Sequence, residues 1–334
     1  MGRLIAQRKT AGQMLAPKVS VIMSTYGHAL WLGDAVRAVL DQDLTDELQL
    51  VVCDDASPDS STEVIEILLG ELETTSYAGR RSLTYVRTSR NRGPAVGRNV
   101  GLDQAAGEYI AFTDDDCLPS RGWLREAVAA FAPGVGVVQG RTRATETRVR
   151  LFEHHIDISS LDGTFATANV VYRREALAGR RFDPQCWTRN WTMEDSELAW
   201  SVLDAGWDAR YAERALVLHR VIPLSAVGWL AWPTRLRVFP ALVARHPAFR
   251  RHLLLGVWMR PLHLWFDLAL AGALLALWLP PALLLVTPYV VVFARTRGVR
   301  GRFPPAKIAA HVARDAISFA TLAAFSVRHR APVL

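Results

Sequence analysis

Residues 107–119, GEYIAFTDDDCLP, decide the fold. Residues 109–113 form an apolar run of strand length that leads directly into Asp114, Asp115 and Asp116. Three adjacent carboxylates repel one another unless they are well solvated or share a cation. In an open α/β sheet, ligands gather beyond the carboxyl ends of the strands, which is where this triplet falls. Mg²⁺ or Mn²⁺ held by one or two carboxylates keeps coordination positions free for substrate phosphates. An acidic turn on a solvated surface is the competing reading of the triplet alone, so the flanking segments have to decide.

Upstream, VSVIMST at 19–25 and LQLVVC at 48–53 read as buried strands, and between them residues 31–40 set Leu32, Val36, Val39 and Leu40 on one helical face. Strand, helix and strand in that order predict a right-handed parallel crossover. The second strand ends in Asp54 and Asp55, and Ser60 and Ser61 offer an N-cap to a helix reaching residue 69. A third strand is expected over 83–87. Pro94 then suits the first turn of a helix that turns Ala95, Val96, Val100 and Leu102 inward. The resulting βαβαβαβ order over 18–116 outlines a nucleotide-binding half-domain with two acidic clusters on one sheet edge. The sequence has no Gly-rich dinucleotide fingerprint and no GxxxxGK loop, which disfavours hydride transfer and ATP-driven chemistry. Phosphates are then expected to meet metal and arginine.

Downstream, a helix is expected over 123–131, followed by a glycine-rich stretch at 133–140 and polar, arginine-bearing turns at 141–150. Residues 151–181 read as loops and short strands, with Asn169 and Arg173 as polar groups open to a substrate. Glu194 and Asp195 begin a helix that faces Leu198, Val202 and Leu203 inward and stops at Gly206. Carboxylates at a helix N-terminus cap free amides and meet the dipole, so a structural role competes with a catalytic one there. A strand at 215–218 ends at His219.

Hydrophobic residues make up 50% of the 334, the formal net charge is +7, and both the apolar and the arginine excess lie toward the C-terminus. The arginines sit beside apolar runs and form no aromatic-interleaved basic face, so an anionic membrane surface fits better than nucleic acid. Cys53, Cys117 and Cys186 lack metal-site spacing, which suggests a reducing environment and no zinc. Residues 1–17 are polar, are expected to be flexible and contain no signal-peptide core, so the cytoplasmic face of the cell membrane is the expected location. The 27 uncharged residues at 268–294 are interrupted by Pro280, Pro281 and Pro288, and the Pro pair predicts a break into two pieces. Arg250, Arg251 and Arg260 precede this stretch, and Arg295, Arg297, Arg300, Arg302 and Lys307 follow it, so a re-entrant hairpin or short helical pair fits better than a single crossing. Residues 308–327 read as an amphipathic helix suited to the interface. A buried helical subdomain or a dimer interface is the alternative for this tail, which keeps a homo-oligomer among the expected partners.

Taken together, PKVSVIMSTY, VVCDDASPD, NRGPAVGRNVGL, AFTDDDCLP and TMEDSELAWSVLDAGW, in this order over 17–219, resemble a family 2 glycosyltransferase of GT-A fold. The resemblance implies an α/β nucleotide-binding domain over 18–222, split into a nucleotide half at 18–119 and an acceptor half at 120–222. A helical region at 223–334 would follow, with a membrane-associated segment at 262–294 and the amphipathic helix at 308–327. It implies inverting transfer of a sugar from a UDP-, dTDP- or GDP-linked donor to the hydroxyl of a glycan or lipid-linked acceptor. On that pattern Thr25, Tyr26 and Asp54 lie at the base, Arg98 near the nucleotide, and Asp55 is also among the residues that bind the nucleotide sugar. Asp114 and Asp115 meet the nucleotide sugar, while Asp114 and Asp116, with His219, serve as ligands for Mg²⁺ or Mn²⁺. Asp195 acts as general base, with Glu194 as its substitute.

Ala56 stands where the family commonly has Gly, and Cys117 where a further Asp is common. Residues 227–240 lack the QxxRW element of processive members, which favours adding one or a few sugars. A sugar-phosphate nucleotidyltransferase would carry a Gly-rich loop where STYGHAL stands, and a catalytically silent membrane scaffold of the same fold is the non-enzyme alternative. Trp187, Trp191, Trp229 and Trp232 read either as a sugar-stacking wall or as interfacial anchors.

Overall fold

The apolar runs that precede Asp116 all become strands of one sheet. A computed structural model of the chain describes residues 4–9, 17–74, 80–147, 150–185, 193–296 and 305–334. In chain order the first half comprises β1 (Leu4–Lys9), β2 (Val19–Thr25), α1 (Ala29–Leu40), β3 (Leu48–Asp54), α2 (Ser61–Thr74), β4 (Arg81–Thr88), α3 (Pro94–Gln104) and β5 (Tyr109–Asp114). The strands β4, β3, β2 and β5 lie side by side and parallel, and every residue of β3 is buried. A parallel sheet with both faces covered selects such continuous apolar runs over alternating ones.

Beyond the acidic triplet come β6 (Cys117–Pro119), α4 (Trp123–Ala129), β7 (Val135–Ala144), β8 (Glu153–His154), β9 (Val170–Arg173), α5 (Arg174–Leu177), α6 (Glu194–Leu203), β10 (Asp208–His219) and β11 (Ile222–Pro223). The nine-stranded sheet runs β1-β4-β3-β2-β5-β9-β7-β10-β6. In it β9 is antiparallel to both β5 and β7, and β6 antiparallel to β10, so the sheet is mixed. The compact unit built on it comprises residues 1–149 and 155–222. Residues 150–154 and 223–334 form a second unit, with α7 (Ala226–Ala231), α8 (Val238–Arg245), α9 (Pro261–Leu275), α10 (Val286–Thr296) and α11 (Pro305–His329).

Three segments depart from their sequence reading. Within the lead-in expected to be flexible, Leu4–Lys9 pairs antiparallel with β4, because the outer edge of a parallel sheet offers an open hydrogen-bonding ladder to any extended neighbour. Residues 135–144, read as glycine-rich and arginine-bearing turns, form the ten-residue β7. Its first six residues are buried between β9 and β10, and the arginines fall where burial ends. β10 starts at Asp208 instead of residue 215, and its exposed polar positions hide the strand from a search for continuous apolar runs. Trp187 and Trp191 lie outside the described residues. Trp229 is buried, and Trp232 packs against His154 and beneath Arg235, so neither of these two stands open as a sugar wall.

The tail breaks at the Pro pair, as expected, into α9 and a 3₁₀ turn over Pro280–Leu285 that feeds α10. Among the described residues, the one helix long and apolar enough to cross a membrane is α11, not the uncharged 268–294 segment.

The placement of α3 matters most for the site. A Cβ at Gly97 would lie 2.6 Å from Ser24 Oγ, and one at Gly101 would lie 2.4 Å from Ile22 Cγ2, so these two glycines, one turn apart, let α3 sit directly on β2. Gly101→Ala forces methyl against methyl in a closed core. It should destabilise the protein by about 1–3 kcal/mol in denaturant unfolding, whereas an unchanged midpoint would show that α3 can lift off the sheet at little cost.

Candidate active site

The parallel register sets Thr25 beside Asp54 and Ser24 beside Asp114, so the ends of β2, β3 and β5 open on one edge. At that edge Asp54 is fully buried. Its Oδ1 accepts from the Ser57 amide at 2.6 Å, and its Oδ2 accepts from the Tyr85 hydroxyl at 2.5 Å and from Arg87. Asp55 accepts from the amides of Arg92 and Gly93 at 2.7 and 2.6 Å and from the Thr88 hydroxyl at 2.9 Å. Both carboxylates are therefore engaged inside the protein, where they shape the loops at 55–59 and 90–93. Thr25 is buried as well, and Tyr26 is the residue of the base-side group that presents a surface, with 46% of it exposed. Ala56, between these loops, has a φ of +64°, the left-handed region in which glycine is the unstrained residue.

Arg98 is carried to the strand ends by the close seat of α3. Its Nη2 donates to Asp114 Oδ1 and its Nη1 to Glu194 Oε1, both at 3.0 Å, and its guanidinium lies over the Phe182 ring at 5.7 Å. Burial alone would loosen its proton, but the carboxylates of Asp114 and Glu194 outweigh that and hold Arg98 above its ordinary range. Glu194 is buried in this pair, and Asn99, next on α3, exchanges hydrogen bonds with the Phe182 backbone at 2.8 and 2.9 Å. One side chain thus joins the acidic strand end to the start of α6.

Asp195 is bound more loosely. It accepts from the Ser196 amide at 2.9 Å and, at 3.4 Å, from the Thr167 amide, while the N-cap position of α6 belongs to Met193 and has no side-chain cap. Burial, with Glu194 beside it, pushes the Asp195 carboxyl up to about 8 against the pull of Arg98. Of the two carboxylates, one is committed to an ion pair and the other is held in an environment that strengthens its basicity.

At the other side of the triplet, β6 and β10 pair so that His219 faces Cys117. His219 Nδ1 lies 2.6 Å from the Arg220 carbonyl and must be its donor, which directs Nε2 toward Asp116 Oδ2 at 3.6 Å. A buried carboxylate oxygen and an imidazole nitrogen 3.6 Å apart are donor types that can ligate a divalent cation, and a backbone carbonyl fixing the far nitrogen is how metal-ligating histidines are commonly held. Burial, with Asp114 and Asp115 nearby, pushes Asp116 up to about 6 although His219 opposes it. Asp116, Cys117 and His219 bring their donor atoms within 4.8 Å of one another. Burial keeps the Cys117 thiol protonated and donating to Asp116 Oδ1 at 3.6 Å, so the oxygen and nitrogen donors of Asp116 and His219 fit a hard divalent ion and Cys117 does not. Asp115 adds a buried Oδ2 with no hydrogen-bond partner among the described residues.

Two residues enter the site that sequence reasoning missed. His28 Nδ1 lies 2.9 Å from Asp115 Oδ1, and the pairing raises the proton affinity of the imidazole. Its signal was its place two residues past Tyr26, at the mouth of the same strand. Arg220 donates its amide to the Asp116 carbonyl at 3.0 Å and its guanidinium to Asp34 at 2.6 Å. Asn169 and Arg173 are not in the site. Asn169 is fully buried, bonded to Trp123 Nε1 and to the carbonyls of Arg141 and Ala215, and Arg173 lies over Tyr109 and Phe131 at the opposite end of β5.

Residues 20–190 match the family described as Glycosyl transferase family 2. A GalNAc(5)-diNAcBac-PP-undecaprenol beta-1,3-glucosyltransferase of Campylobacter jejuni is 25% identical over 222 residues, which cover 63% of this chain and 65% of that protein. The minor teichoic acid biosynthesis protein GgaB of Bacillus subtilis is 30% identical over 190 residues, covering 50% of this chain and 19% of its own. The chain thus spans less than two thirds of these curated relatives. Among solved structures, a mannosyltransferase of Pyrobaculum calidifontis in complex with GDP-Man and Mn²⁺ covers 95% of this chain and 88% of its own at 22% identity and TM-score 0.57. Residues 1–349 of TarS from Staphylococcus aureus, in complex with UDP-GlcNAc, cover 94% of this chain and 92% of that one at 17% identity and TM-score 0.54. At these identities the two structures speak for the fold, and the family match, spanning half of the chain in register with the strand-end carboxylates, speaks for descent: the chain belongs to glycosyl transferase family 2.

Proposed function

We propose that this protein moves a sugar from a nucleotide-sugar donor to an acceptor hydroxyl in a single inverting displacement, on a cell-envelope or lipid-linked glycan, at the cytoplasmic face of the membrane. The observation that carries this is the Arg98 bridge, because it draws the donor-end carboxylate Asp114 and the helix bearing Asp195 into one site. Tyr26, exposed at the end of β2, stacks on the base, and Asp54 and Asp55 act through the loops they hold. Asp114 and Asp115 meet the sugar nucleotide. Asp116 and His219 hold Mg²⁺ or Mn²⁺, which when bound would offset the charge on the departing diphosphate. The acceptor oxygen attacks the anomeric carbon, the bond from that carbon to the diphosphate oxygen breaks, and the hydroxyl proton passes to Asp195. Glu194, committed to Arg98, positions this end of α6.

The structural neighbours support the choice of donor, since they hold GDP-Man and UDP-GlcNAc. The undecaprenol-linked substrate and the teichoic acid pathway named for the relatives support an envelope or lipid-linked acceptor. The apolar tail supports membrane association. Nucleotide release from a panel of UDP-, dTDP- and GDP-sugars, with and without Mn²⁺ or Mg²⁺, is the direct test, and absence of turnover with every donor and acceptor class would overturn the proposal.

Asp116→Asn should weaken nucleotide binding in the presence of Mn²⁺ and reduce turnover with it, because an ion held by Asp116 would offset diphosphate charge both before and during transfer. Calorimetry with nucleotide and Mn²⁺ reads this, and undiminished metal-dependent affinity in the variant removes Asp116 from the ligand set.

Asp195→Asn should abolish transfer while leaving donor affinity near normal, a loss on the order of 10² to 10⁴-fold in kcat. Asn serves a helix start about as well as Asp, so a purely structural Asp195 predicts unchanged melting temperature and unchanged rate. The base must be ionised to accept a proton, and its carboxyl is pushed up to about 8. In the native enzyme kcat/KM should therefore rise with pH up to that region and then level off, and the rising limb should be missing from the residual activity of Asp195→Asn. A flat native profile between about pH 6 and 9 moves the base elsewhere.

A further inference from the structure

Among the described residues, no contact within the tail explains the tip of the uncharged segment that joins α9 to α10. The two arms run antiparallel: Phe266 packs against Tyr289 with ring centroids 5.4 Å apart, and a Cβ on Gly272 would lie 2.7 Å from both the Ala282 carbonyl and Leu285 Cβ. Near their base the arms are held by α11, through Phe266 against Phe319 at 6.3 Å and through the Tyr289 hydroxyl, which donates to the buried Asp315 carboxylate at 2.9 Å. Toward the tip this support ends. Leu277, Trp278 and Leu284 are 73%, 81% and 74% exposed, and residues 268–286 contain no charged or hydroxyl-bearing side chain.

The backbone at the tip is prepared for a medium without water. The amides of Ala276, Leu277, Trp278 and Leu279 donate to carbonyls of residues 272–275, the amide of Ala282 donates to Leu279, and that of Val286 to Leu283 and Leu284. Between them, Pro280 and Pro281 have no N–H to satisfy. Such turn hydrogen bonds are ordinary in water, but in hydrocarbon they are required, because each unmet amide there costs several kcal/mol. Length and charge agree. From Asp267, the last charged residue of the first arm, to the tip at 277–279 is a reach of about 16 Å at helical rise, roughly half of the ~30 Å hydrocarbon core. Arg260 stands at the N-cap position of the first arm and Arg295 lies in the last turn of the second, so an antiparallel pair puts both cations at the same end, where anionic headgroups would meet them.

We infer that α9, the Pro280–Leu285 turn and α10 form a re-entrant hairpin that enters one leaflet of an anionic membrane from the side of its arginines and does not cross it. This rests on the membrane association proposed above and fixes its form. α11, with Arg314 over the Trp229 ring at 4.4 Å and Asp315 bonded to the hairpin, is then the support against which the arms dock.

The test uses the full-length protein and sealed vesicles of phosphatidylcholine with and without phosphatidylglycerol. The native protein should float with the anionic vesicles, less so in high salt. Trp278→Glu combined with Leu284→Glu should weaken that binding on the order of tenfold or more, with the melting temperature unchanged because both side chains are exposed. In a Cys186→Ser background, where Cys53 and Cys117 are buried, Trp278→Cys carrying an environment-sensitive dye should be quenched by lipids labelled deep in the chain and shielded from an impermeant aqueous collisional quencher on either side. Failure of the native protein to bind either vesicle overturns the membrane reading and the hairpin together. Native binding that the double variant leaves intact overturns the hairpin alone. Access of the dye to quencher trapped inside the vesicle means the segment crosses. A double variant that dissolves an oligomer without changing vesicle binding means that the tip is covered by a second copy of the chain.

Discussion

The site depends on one buried cation. Arg98 donates to Asp114, at the end of β5, and to Glu194, at the start of α6, residues 96 positions apart from its partner in the second case. A guanidinium taken out of water is tolerated only when paired and hydrogen-bonded, and removing one partner of such a group typically costs 3–5 kcal/mol. The pairing therefore constrains the parts that deliver it. α3 must lie close enough to β2 for Arg98 to reach the strand ends, which Gly97 and Gly101 permit, and the 182 segment must stay beside α3, which Asn99 secures from the next position.

The acidic residues of the sheet edge divide by what neutralises them. Asp54 and Asp55 accept from amides, hydroxyls and Arg87, and they convert two loops into fixed walls. Asp115, Asp116 and Asp195 keep capacity that the protein does not fill: Asp115 has an orphaned oxygen, and burial and like charge raise Asp116 and Asp195. Carboxylates left partly unsatisfied among like charges destabilise the fold, and sites where that cost is retained are characteristically sites of function. Cys117, protonated and donating to Asp116, softens the repulsion at the place where a further carboxylate would have sharpened it.

Much of the nucleotide half was legible because buried parallel strands leave continuous apolar runs, and β2, β3 and β5 are of that kind. The triplet at 114–116 and the pair at 194–195 were legible as chemistry, since no apolar core asks for them. What escaped depends on tertiary pairing. β1 exists because β4 has an open edge, β7 is a buried strand whose glycines and trailing arginines mask it, and β10 is a half-exposed strand in which polar residues alternate with buried ones. Asn169 looked like a ligand for substrate because a buried amide network has no signature in sequence. His28 went unread for the converse reason, since its partner Asp115 is 87 residues away. The division of labour between Asp54 and Asp55 on one side and Asp116 on the other was hidden in the same way, because it is set by which neighbours bring donors.

Charge balance links the parts of the site to each other. Arg98 stands as the buried cation among Asp114, Glu194 and Asp195, while Asp115 and Asp116 face the imidazoles of His28 and His219. Each carboxylate that Arg98 neutralises is one it cannot neutralise elsewhere, so the edge stays acidic. On the proposed reading a diphosphate entering that edge meets repulsion unless positive charge arrives with it, and a cation held by Asp116 and His219 gains in turn from the diphosphate. The two affinities are then coupled, and by linkage each must strengthen the other by the same factor.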